Sequence, residues 1–139
     1  MDPLLATLLA GIVLPLDAAS GAAFSRLQSN PKYSAIADAA ARHPKVVEVK
    51  QDPALGKQGL QGQWNMGSGK DSIGLNTGGL DTLAHELTHF LIGNSQFNQT
   101  MPHAKQEYVS QSFGDYGNRI PDLYKGQELD QIYRALIGQ

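Results

Sequence analysis

No cysteine occurs among the 139 residues, so disulfides and thiolate metal sites are excluded. His, Asp and Glu are left as the only strong metal ligands. No block of like charge is present either. Eleven basic and 13 acidic side chains give a net charge of −2, which carries no nucleic-acid footprint. The prominent apolar run, residues 4–16, holds 13 residues and is broken by Pro15, too short for a stable membrane span. Internal repeats and low-complexity tracts are absent. What is there suffices for one domain with its own core and is short for two. Fifteen glycines and seven prolines make it rich in turns.

Residues 4–16 have the length of a secretory-signal core, and Ser20-Gly21-Ala22 resembles a cleavage site. Asp2, however, stands where such a signal carries Lys or Arg. Three readings are open: a helix packed on the domain, an export signal, or a segment trimmed from a larger protein. Short apolar runs favour the packed helix. The expected organisation is an apolar N-terminal segment, residues 1–19, followed by a single domain, residues 20–139.

The most informative stretch is His85-Glu86-Leu87-Thr88-His89. On a helix, residues four apart share a face, so His85 and His89 offer two imidazole nitrogens to one ion. Glu86 is rotated by about 100°, where it reaches an attacking water rather than the metal. With four His and four Glu in the chain, chance predicts about 0.003 such occurrences. Leu83, Leu87, Phe90 and Leu91 form an apolar stripe at helical spacing. Asp81 is the expected N-cap after Gly78-Gly79, and Gly93 the expected stop. The bland alternative is an amphipathic helix whose two histidines hold nothing.

His85, Glu86 and His89 match the HExxH signature, and the segment resembles the zincin metallopeptidases over residues 72–93. A short strand, Ser72 to Asn76, runs directly into the motif helix as in that family. The resemblance implies a Zn2+ ion held by both histidines and Glu86 as general base. A catalytic zinc takes three protein ligands and leaves one position open. The metzincin branch is excluded, because Ile92 and Ser95 stand where it needs Gly and a third His. The candidates for the third ligand are Glu107, Asp115 and His103. Glu107 is favoured: it lies 18 residues after His89, and Glu107 with Ser110 resembles the gluzincin pattern. Gln111 departs from that pattern, which has an Asp orienting a histidine ligand there; Asp81 is an alternative orienting carboxylate. For the developing oxyanion, His103 and Tyr108 are the first candidate donors, ahead of Tyr116 and Tyr124. Tyrosines beside a helix pair more often simply pack.

Helices are expected over residues 20–28 and 30–43, the second with Asn30 as cap and Pro31 at its first position. Residues 46–50 read as a strand, and 60–66 with 72–76 as a hairpin. Two metal-site helices follow, then a loop from 114 to 121 and an amphipathic helix over 127–137. This order predicts an α+β fold: a small zincin-like domain whose short, mostly antiparallel sheet carries the HExxH helix, with further helices packed on it. Residues 72–76 are the expected sheet edge, to which an extended peptide adds as another strand; the alternative is an ordinary hairpin strand with no substrate role. The first functional reading is a zinc-dependent endopeptidase acting on a peptide or protein substrate. Its size and layout are similar to bacterial toxin or effector modules and phage-associated proteases. That favours a secreted or delivered effector over a cytoplasmic enzyme, with a larger parent protein or a cognate inhibitor as partner. The alternatives are a zincin-fold module that holds metal without cleaving, and an interaction domain with no metal.

Overall fold

The described residues of the computed structural model are 13–76 and 79–138. Four strands form one sheet: β1 (Val13–Pro15), β2 (Val46–Gln51), β3 (Gly62–Asn65) and β4 (Lys70–Leu75). Among the described residues six α-helices accompany it: α1 (Ala18–Ser29), α2 (Ser34–Ala41), α3 (Leu80–Gly93), α4 (His103–Tyr116), α5 (Ile120–Leu123) and α6 (Glu128–Leu136). The α+β class is as expected.

The sheet is mixed rather than mostly antiparallel. Its order is β1-β2-β4-β3, with β1–β2 and β2–β4 parallel and only the β3–β4 hairpin antiparallel. Residues 72–76 are therefore not the edge; β4 is an inner strand and β3 lies outside it. The reason is composition. Ile73, Gly74 and Leu75 are buried and are satisfied only between two neighbours, whereas Gln63 and Asn65 of β3 tolerate an open side. A connection through a 3-10 turn (Pro53–Gln58) carries the chain past β4 before the hairpin returns it.

Only the end of the N-terminal apolar run is described, and there it is not the expected packed helix. Its residues 13–15 form an extended edge strand, and residues 1–12 lie outside the described part. Pro15 breaks a helix but is tolerated at a sheet edge. Asp17 then caps α1 by accepting from the Ser20 N–H at 2.8 Å. The second helix starts at Ser34, not near Pro31, because the Asn30 side chain accepts from the Lys32 N–H at 2.9 Å and makes a turn first. Residues 114–121 are helical for the most part. α4 runs to Tyr116 and a 3-10 turn (Gly117–Arg119) leads into α5.

Register places Val47, Val49, Ile73, Leu75, Trp64 and Gly62 on one face of the sheet. That face packs on α3, whose Leu83, Leu87, Phe90 and Ile92 are completely buried. Thus α3 is the central helix, in contact with α1, α2, α4, β3 and β4. The opposite face carries polar residues, including the Lys70–Glu48 ion pair at 2.9 Å. Among the described residues no helix is long and apolar enough to cross a membrane.

Candidate metal centre

α3 begins after Gly79, with Asp81 already in its first turn and making no side-chain cap. Gly79, not the expected Asp81, is therefore the N-cap residue. Asp81 makes no hydrogen bond with His85 and so does not orient it. Along α3, His85 and His89 stand one turn apart on the same face, their ring centroids 5.0 Å apart. Opposite them runs α4, which approaches closely at Gly114. A Cβ there would lie 3.0 Å from the Asp81 carbonyl and 3.6 Å from His85 Cβ. This contact brings Glu107, two turns earlier on α4, over both imidazoles.

Glu107 Oε1 lies 2.5 Å from His89 Nε2, and Oε2 lies 3.5 Å from His85 Nε2. The three donor atoms fall within 4.8 Å of one another. Donors bound at ~2.0–2.1 Å to a tetrahedral zinc stand roughly 3.3 Å apart. The 3.5 Å separation already fits, and the 2.5 Å contact must open by roughly 0.8 Å to admit an ion. Glu107 is half exposed, so it has room to do so. His89 is buried, and desolvation pulls its pKa below the ordinary imidazole value. Its neutral form, with a free lone pair, is what a metal requires. Two imidazoles and one carboxylate with an open approach suit zinc.

Glu86 does not join this trio. It is only 7% exposed and lies beneath β3, where a Cβ on Gly62 would meet its Cγ at 3.0 Å. Burial first, and the negative charge of Glu107 second, push its pKa up to about 7, against a smaller opposing pull from the Trp64 backbone. A carboxylate poised there can both take and return a proton near neutrality.

A cleft of about 630 Å3 opens over the four residues. β3 contributes Gly62, Gln63 and Trp64 to one wall, and α4 the other. His103 and Asp115 line the cleft, but neither belongs to the converging trio. Asp115 instead accepts hydrogen bonds from the Gln111 amide at 3.1 and 3.2 Å, so Gln111 does not orient a histidine. Tyr108 is 58% exposed and does not line the cleft; its place on α4 turns it away from the motif. Tyr116 packs against Tyr124 at 5.8 Å and is likewise outside.

Trp64 was not expected here. Its indole is parallel to the His89 imidazole, with an interplanar angle of 4° and centroids 6.2 Å apart. A lone tryptophan in a polar strand was the only signal for it. Nothing in linear spacing pointed to the carboxylate of Asp71 that holds its N–H at 2.9 Å. Comparison of the chain with family models, curated proteins and solved structures finds no match.

Proposed function

We propose that this chain is a small zinc-dependent endopeptidase, a minimal zincin in which His85, His89 and Glu107 hold the metal. The observation that carries the reading is the convergence of those three donors beside a separate, buried Glu86. When bound, zinc polarises the scissile carbonyl and lowers the pKa of a water to roughly 7. Glu86 accepts that water's proton on its carboxylate and delivers it to the leaving amide nitrogen. Its burial under β3 keeps the proton between reactants instead of losing it to bulk solvent.

Substrate placement follows from the corrected edge. Among the described residues β3, not residues 72–76, ends the sheet beside the cleft, so an extended peptide can add there through main-chain hydrogen bonds. Gly62 lines that wall, and its lack of a side chain leaves room for Glu86 beneath the strand. His103, in the first turn of α4, is the donor left for the oxyanion; Tyr108 has no such place. A protein that only held metal would have no use for a buried base next to it.

Glu86→Gln tests the mechanism. The variant should bind zinc as the wild type does and lose at least a hundredfold in peptide cleavage. Equal cleavage by both forms would remove Glu86, and the peptidase reading with it.

A further inference from the structure

Metal-bound histidines are usually aimed by a hydrogen bond from the second ring nitrogen to a carboxylate or carbonyl. Among the described residues neither His85 nor His89 has such a bond, and Gln111 is engaged with Asp115. Something else must set the plane of His89. The indole of Trp64 lies parallel to it, and three features hold that indole in place.

The first is its N–H, which donates to Asp71 Oδ2 at 2.9 Å. The Asp71 carboxylate is completely buried and itself immobilised. It accepts from the Gly67 N–H at 3.0 Å and from Asn94 Nδ2 at 2.7 Å, and pairs with Lys45 Nζ at 2.5 Å. The second is Gly93, four residues after His89 on the same face of α3. A Cβ there would stand 2.3 Å from Trp64 Cη2 and 2.7 Å from Cζ2, so the ring occupies space that only glycine leaves. Gly93 lies within the helix with no positive φ, so the backbone does not demand glycine. The third is the strand itself: Trp64 pairs with Ile73 in the β3–β4 ladder, which points the indole toward α3.

We infer that Trp64 is a positioning residue for His89: anchored by Asp71 and seated on Gly93, its ring holds the imidazole with Nε2 facing Glu107. The inference rests on the metal-centre reading above. It assigns Gly93 the function of making room for the indole, while Asn94 caps the helix.

The test compares wild type, Trp64→Phe and Gly93→Ala, each confirmed folded by circular dichroism. Zinc affinity is measured by competition with a chromophoric chelator, and ligand geometry by the visible absorption of the Co2+-substituted protein. Trp64→Phe keeps an aromatic ring but lacks the N–H. Gly93→Ala keeps Trp64 and displaces it, which covers the case in which the first variant does not fold. Each should weaken zinc binding on the order of tenfold and alter the Co2+ spectrum. A ring that mattered only for stability would lower the unfolding temperature and leave both readouts unchanged. Wild-type affinity within twofold in the folded variants, with an unaltered Co2+ spectrum, overturns the inference. A wild-type chain that binds no zinc fails at the first arm and overturns the metal centre itself.

Discussion

Asp71→Asn is the sharpest probe of how the cleft is held together. Four donors converge on its two oxygens: Lys45 and Gly67 on Oδ1, Trp64 and Asn94 on Oδ2. Asparagine has the same shape, but whichever way its amide turns, the NH2 faces two donors. Losing a buried ion-pair partner costs about 3–5 kcal/mol where the remaining charge is fully buried. Lys45 is 21% exposed and keeps hydrogen bonds to the Gly67 carbonyl at 2.9 Å and Asn94 Oδ1 at 3.2 Å. The cost is therefore nearer ~3 kcal/mol, a large share of the 5–15 kcal/mol typical of such a domain. For a chain of this size that lowers the unfolding temperature by about 10 °C. Burial by itself raises the Asp71 pKa, but the bonds from Lys45, Gly67, Asn94 and Trp64 outweigh it and hold the carboxyl below its usual value. A depressed pKa in the folded state stabilises above the unfolded value of about 4, and that contribution is lost as pH falls through the folded value. Urea unfolding of both forms should show the full gap at pH 7 and a narrowing gap below about pH 4. A gap under ~1 kcal/mol at pH 7, or one that widens in acid, would refute the reasoning.

Glu107→Ala should reduce zinc content far more than Asp115→Ala or His103→Ala, read by metal analysis after gel filtration; emptying by Asp115→Ala alone would move the third ligand. Gly62→Ala places a methyl 3.0 Å from Glu86 Cγ and 2.9 Å from Thr82 Cγ2, so peptide cleavage should fall at least tenfold while zinc affinity stays within about threefold. Gly117→Ala combines a φ of +54° with a Cβ 1.7 Å from the Lys32 carbonyl, and chemical denaturation should show a loss above ~2 kcal/mol with the metal-site residues unaffected.

The parts of this site that were legible in the amino-acid order are those set by local periodicity. His85, Glu86 and His89 announce themselves because one helix fixes their relative directions. Glu107 followed from the length needed to turn a second helix back. What was hidden depends on pairing between distant segments. The sheet order turns on which strand is apolar enough to lie inside, and the alternation of residues 72–76 fits both an edge and an inner position. Asp81 reads as a cap by type, yet the helix starts two residues too early for its side chain to serve, with Gly79 at the cap position. Tyr108 looked eligible by proximity in sequence to Glu107. One residue along a helix is about 100° of rotation, which carries it out of the cleft. Trp64 and Asp71 were invisible as a pair, since seven residues across a hairpin leave no periodic trace.

The most direct measurement is the zinc content of the full chain, purified without a polyhistidine tag and dialysed against metal-free buffer after zinc loading. About one zinc per chain is predicted for the wild type, falling to near zero in His85→Ala and His89→Ala, the stoichiometry of a single three-ligand site. A wild type that retains no zinc, or histidine variants that retain as much as it does, would contradict the metal centre.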